Sequence, residues 1–279
     1  MTILIDDTLL TAPIRVPLVE GWVESSIPVE VRSPLRAADI GPEDIGLIAS
    51  PEATLLATTH LIASEVAVVI EGISPIVLRT PVRPDEIEET PIRLQHATAT
   101  GEMLTRALLK PYFGITASSA QFITSDDDPN AAQAQVVVVE GLDALDEPEA
   151  GFQTDLAQAW YVLTGGHAVS HVVVVGLEAQ ARGLADQALA TLKQAAEVGI
   201  ERRREVRTVM AGDSDVDRET LAEMTNNLSF TLHADDRRSL LNLIARGSWG
   251  SRFPQRNPVF RDDLPADVRG GSRNEGAAS

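Results

Sequence analysis

The residues able to move protons or hold anions fall in four short loops, 6–11, 50–52, 96–100 and 140–143, each following an apolar run. In open α/β sheets a ligand lies outside the carboxyl ends of the strands, so these four loops are candidates to line one cleft. The strongest physical case is Thr98-Ala99-Thr100-Gly101. Its small residues permit close approach, its hydroxyls donate, and the free N–H groups of a helix start attract carboxylate or phosphate. The alternative is a plain N-cap. His96 beside it is an acid or base adjustable near neutral pH. Glu140 follows four valines directly, and a carboxylate at a strand end in a cleft acts as a base or binds a hydroxyl. Asp6 and Asp7 read as turn formers.

The elements that must position these loops are written in the apolar pattern. Unbroken valine runs at 136–139 and 172–175 suit strands covered on both faces. Between them lies a helical segment, 155–163, with Thr154 as N-cap and Thr164-Gly165-Gly166 as its stop. Strands are expected at 3–5, 45–49, 65–70, 76–78, 92–94 and 120–124, and helices at 52–59, 102–109, 217–227 and 234–246. A long helical stretch spans 176–209, with Arg202, Arg203, Arg204 and Arg207 near its end, where positive charge suits the helix dipole. Residues 71–75 read as a hairpin or a lobe boundary, and the Pro-rich acidic stretch 81–91 as a linker. The expected fold class is α/β, with two lobes. Residues 1–83 and 166–262 form the first lobe, 84–165 the second, and 263–279 a disordered tail.

Composition removes several classes of function. The chain has 279 residues, 44% hydrophobic, enough for a sizeable core, and no cysteine. Its five histidines are scattered and give no metal set, and no cofactor is expected. Walker-type, Gly-x-Gly-x-x-Gly and Gly-x-Ser-x-Gly loops are absent from the sequence. A net charge of −18 argues against nucleic acid as a partner, since phosphate-backbone affinity comes from Lys and Arg. No apolar run approaches the roughly 18 residues of a membrane helix. The N-terminus lacks the basic-then-apolar pattern of a secretory signal, so a cytoplasmic location is expected.

The segment Asp155-Leu-Ala-Gln-Ala-Trp-Tyr-Val-Leu-Thr-Gly165 is similar to the Asp-Leu-Gly-x-x-Trp-x-x-x-Thr-Gly element of the menaquinone-biosynthesis family of the futalosine pathway, chorismate dehydratase branch. Thr11-Ala12-Pro13, Ile45-Gly-Leu-Ile-Ala-Ser-Pro-Glu52 and Thr98-Ala99-Thr100 resemble it further. The resemblance spans residues 3–260. It implies a two-lobed fold of the periplasmic-binding-protein type II kind, with mixed sheets and an interlobe cleft. It also implies a cofactor-independent lyase that removes water from chorismate to give an enolpyruvyl benzoate. The partner implied is an anionic small molecule bearing carboxylates. On this reading Thr98 and Thr100 hold carboxylate, and Thr8, Leu10, Thr11, Ser50, Ala99 and Gly141 complete the binding loops. His96 and Glu140 are the residues chosen to move protons. The family's first loop reads Ser-Tyr-Leu-Asn-x-x-Pro, and here Leu10 stands in place of the Asn. Leucine cannot hydrogen-bond, which opens the competing reading of a noncatalytic binding protein.

Overall fold

The two valine runs become central strands of two different sheets. The computed structural model describes residues 1–265 apart from 125–127, 129–130, 149 and 213. In chain order the first half holds β1 (Ile3–Asp6), α1 (Ala12–Val19), β2 (Val29–Arg32), β3 (Ile45–Ala49), β4 (His60–Ile70), β5 (Ile76–Thr80), β6 (Glu89–Gln95), α2 (Ala99–Leu108) and β7 (Thr116–Ile123). There follow β8 (Val136–Glu140), β9 (Phe152–Asp155), α3 (Leu156–Thr164), β10 (Ala168–Gly176), α4 (Leu177–Ala181), α5 (Ala185–Glu201), α6 (Arg203–Ala211), α7 (Arg218–Asn226), β11 (Leu228–Ser229) and α8 (Ala234–Gly247).

One sheet runs β11-β4-β10-β3-β1-β2 and the other β7-β6-β8-β5-β9. Both are mixed. In the first, β1 is parallel to β2 and β3, while β10 is antiparallel to β3 and β4. In the second, β6 is parallel to β7 and β8, while β5 is antiparallel to β8 and β9. Every residue of β10 is buried, which is why its valines do not alternate with polar residues.

The chain crosses between sheets at two places. Residues 71–75 join β4 of the first sheet to β5 of the second, so they form a crossing and not a hairpin. The second crossing runs through α3 to β10. The boundary expected at residue 84 therefore comes too late: Ile76–Thr80 pairs with β8 and β9, and the Pro-rich stretch at 81–91 joins two strands of that same sheet, its last three residues already in β6. Asp155, not Thr154, caps α3, accepting from Ala157 N–H (2.8 Å) and Gln158 N–H (3.0 Å). The same carboxylate accepts from Ser74 N–H (2.6 Å) and the Ser74 hydroxyl (2.8 Å). One side chain thus ties the two crossings together. Gly165 closes α3 at φ 73°, the left-handed cap that glycine adopts without strain.

Other expectations shift for local reasons. Helix α1 begins at Thr11-Ala12-Pro13, within what the sequence suggests is a loop; proline is welcome in a first helical turn because its missing N–H has no helical partner there. Residues 52–59 form only a short 3₁₀ segment, Ser50–Thr54. The long stretch 176–209 breaks into α4, α5 and α6. Trp160 is fully buried, and its indole N–H donates to Ser239 Oγ at 2.9 Å. That contact fastens α3 to α8. The end of the described chain is held by buried Arg261, which reaches Gln180, Glu65 and Asp186. The tail expected from 263 onward lies, beyond residue 265, outside the described residues.

Candidate functional site

A cavity of about 360 Å³ opens between the two sheets. Its first wall comes from the ends of β1 and β3 and the loop after β2: Asp6, Asp7, Thr8, Ser33, Leu35, Arg36, Ala49 and Glu52. Its second wall comes from the end of β6 and the start of α2: Leu94, His96, Ala97, Thr98 and Ala99. Parallel pairing of β1 with β2 and β3 brings their carboxyl ends to one edge, and these loops meet there.

The acids on the first wall are largely compensated. Glu52, almost fully buried, accepts from Ala37 N–H at 3.0 Å and is flanked by Arg36 (3.3 Å) and Arg252. Arg15 Nε lies 2.9 Å from Asp7 Oδ1, an ion-pair contact too bent to count as a hydrogen bond. Asp6 is buried, with Oδ1 accepting from Leu35 N–H at 2.9 Å. Its Oδ2 lies 3.4 Å from Nε2 of wholly buried His171, again within ion-pair distance but without hydrogen-bond alignment.

Behind the second wall, Glu140 occupies the start of α2. Thr98 N–H donates to Glu140 Oε2 at 2.7 Å, and the Thr98 hydroxyl lies 2.9 and 3.1 Å from the two carboxylate oxygens. Gly101 makes room: a Cβ there would stand 2.8 Å from Glu140 Oε2. Burial pushes the Glu140 carboxyl from its ordinary 4.5 up to about 7; the Thr98 bonds oppose this, and the negative charge of Asp6 adds to it. A carboxyl so poised holds or releases a proton near neutrality. Because Asp6 acts on it, the two acids share one electrostatic environment.

Thr8, His96, Thr98 and Ala99 are cavity-lining, as the sequence suggests. His96 is exposed and has φ 56°, the one positive φ at a non-glycine among the described residues, a conformation costly for a side chain bearing Cβ. The other assigned residues turn away from the cavity. Leu10 is 1% exposed and packs in the core. The buried Thr11 hydroxyl donates to Asp6 O at 2.5 Å, and that of Ser50 to Val169 O at 2.6 Å. Thr100 is buried and donates to Ser170 O at 2.6 Å, joining α2 to β10. Gly141, at φ 102°, begins the turn after β8 and donates to Pro75 O. The anchor expected at Thr98 is already filled by the chain's own Glu140. Glu52 closes one of the sequence-marked loops, whereas Arg36 and Asp6 escape a reading by motif: Asp6 looks like a turn former, and the loop at 33–36 follows β2, whose Val-Glu-Val-Arg sequence carries a weak strand signal.

Three solved structures are similar in fold. Protein AF1704 from Archaeoglobus fulgidus superposes with a TM-score of 0.67 at 12% identity, covering 88% of this chain and 97% of that one. The periplasmic aliphatic sulphonate binding protein SsuA from Escherichia coli gives 0.61 at 12% identity, covering 96% and 98%. The ligand-binding component of an ABC-type import system from Staphylococcus aureus gives 0.60 at 12% identity, covering 98% and 100%. These likenesses establish a two-lobed fold of the periplasmic-binding-protein kind. No curated protein matches the chain in sequence. The menaquinone biosynthesis family model, in contrast, matches residues 28–248, which takes in the second sheet, α3 and every strand of the first sheet except β1. By that match the chain belongs to the menaquinone biosynthesis family.

Proposed function

We propose that the protein is a chorismate dehydratase-like lyase that works without a cofactor in the interlobe cavity. The observation that carries the reading is the carboxyl pair at the cavity: Asp6 on the wall and Glu140 behind Thr98, with burial raising Glu140 to about 7. Elimination of water needs a base at a ring carbon and an acid for the departing hydroxyl, and two carboxyls in unlike environments divide those tasks. Asp6 takes the ring proton. The electrons of that carbon–hydrogen bond form the new ring double bond as the neighbouring carbon–oxygen bond breaks. Glu140 passes its proton through the Thr98 hydroxyl to the leaving oxygen, and water departs from an aromatic ring. Arg36 on one wall and His96 on the other hold the substrate's two carboxylates, replacing the Thr98 and Thr100 anchors. The sulphonate named for the E. coli structural relative is likewise an anion. A cytoplasmic location belongs to the same proposal and is checked by fractionating the host cell.

The test is incubation of the purified protein with chorismate and detection of the enolpyruvyl benzoate. Turnover should drop by about 10²–10⁴-fold in Asp6→Asn. Because Glu140 acts in its protonated form, kcat/KM should fall as pH rises through about 7, and Glu140→Gln should lose that limb. The fold's likeness to transport receptors favours a second reading, a noncatalytic carboxylate binder. Saturable binding of chorismate without product in the unaltered protein would select it.

A further inference from the structure

Helices α6 and α7 enclose a second concavity, of about 260 Å³, that shares no residue with the interlobe cavity. Arg204 and Arg207 from α6 and Arg218 from α7 line it, with Thr208 and with Leu221 at its apolar side. The inward face of the helix pair is committed to the core through Val206, Met210, Leu221 and Met224. Positions 204, 207 and 208 fall on one helix face. The nearby Arg202 pairs with Glu205 at 3.5 Å and lies over the Trp22 ring at 3.7 Å. Arg204, Arg207 and Arg218 have no ion-pair or side-chain hydrogen-bond partner among the described residues. The sequence alone reads the α6 arginines as the charged end of one long helix, whereas in the structure they lie toward the start of α6. It does not explain Arg218, which arrives from a different helix.

The chain carries 41 acidic and 23 basic residues, so three guanidinium groups facing one hollow with no carboxylate among its described lining residues are a local reversal of its overall charge. Each guanidinium presents a planar fork of donors that fits two oxygens of one anion. A single carboxylate can answer one such fork. Satisfying three at once takes an anion with several oxygens and more than one negative charge. We propose that this hollow is a binding site for a phosphate-type polyanion, a diphosphate or phosphate ester.

The experiment is calorimetric titration of the full chain with inorganic pyrophosphate, with separate arms using inorganic phosphate and glycerol 3-phosphate, all at one ionic strength set with NaCl. The proposal expects saturable binding of one pyrophosphate per chain, weakened at least tenfold in the triple variant Arg204→Gln, Arg207→Gln, Arg218→Gln. Arg182→Gln, an exposed arginine outside the hollow, should bind as the unaltered protein does. Tighter binding of the ester than of phosphate identifies an organic ligand, and the reverse a free one. The three side chains are partly or fully exposed, so the triple variant should keep its unliganded melting temperature. Absence of saturable heat with pyrophosphate overturns the site, and so does undiminished affinity in the triple variant. Capture of the chain by vesicles containing phosphatidylglycerol, with pyrophosphate unable to compete, overturns it in favour of a membrane-facing surface.

Discussion

Replacing Glu140 by glutamine should remove a pH-dependent cost from the fold. In the unfolded chain this carboxyl ionises around its ordinary 4.5, whereas in the folded protein it keeps its proton until about pH 7. Between those values the folded state binds more protons than the unfolded one, so stability falls as pH rises. Above about 7 the full cost is present, and a shift from 4.5 to about 7 corresponds to roughly 3 kcal/mol. Glutamine is similar in shape, carries no charge to desolvate, and its amide oxygen still accepts from Thr98 N–H. The variant and the unaltered protein should therefore be nearly equally stable at pH 5. By pH 8 the variant should be ahead by about 2–3 kcal/mol. Urea unfolding at half-unit steps from pH 5 to 8.5 measures both curves, with midpoints converted through a common slope. Curves that stay parallel across this range would refute the reasoning, because they would mean that Glu140 titrates alike in both states. The expected outcome has a functional corollary: a carboxylate kept at a stability cost just behind a cavity wall is what a proton-transfer site requires.

Other substitutions probe the same geometry. Gly101→Ala should destabilise the protein by about 1–3 kcal/mol, because its methyl group needs the space of Glu140 Oε2; combining it with Glu140→Ala should return part of that loss, read in melting temperature. Leu10→Asn buries an amide in the core, so it should cost about 2–4 kcal/mol in urea unfolding and give no gain in turnover. Asp155→Ala removes a helix cap and both Ser74 bonds, an expected loss of about 2–4 kcal/mol by the same measurement. Thr98→Val should leave chorismate binding within a few-fold while lowering turnover at least tenfold, the signature of a group that acts in the proton path.

What could be read in the residues beforehand divides along a physical line. The valine runs, the Gly165 stop and the helix start at Thr98 are local signals, and each holds in the structure. The pairing of Thr98 with Glu140 joins residues 42 apart, and no periodicity reports such a contact. Each reads as a site residue in its own right, so from the sequence the helix start looks vacant. The position of Leu10 is a similar case. A residue-by-residue comparison with a family loop treats it as cleft-facing, yet the turn into α1 directs it into the core, so Leu10 gives no ground for a degenerate site. Asp6 was hidden for the opposite reason: an aspartate after a short strand is an ordinary turn former until parallel neighbours make that strand end one edge of a cavity.

The hydrogen bonds between Asp155 and Ser74 join residues 81 apart, and nearly the whole second sheet lies between them. The two ends of that excursion therefore meet on one carboxylate. In topological terms the second sheet is an insertion whose entry and exit are neighbours, the arrangement that tolerates cutting and rejoining of a chain. A circular permutant opened within 81–91, with the native ends joined by a flexible linker, retains both crossings as continuous chain. The Asp155 clasp also fixes where the lobes can pivot. An opening of the cavity that keeps these bonds must turn about this point, because the two crossing segments cannot separate there without giving up the carboxylate they share.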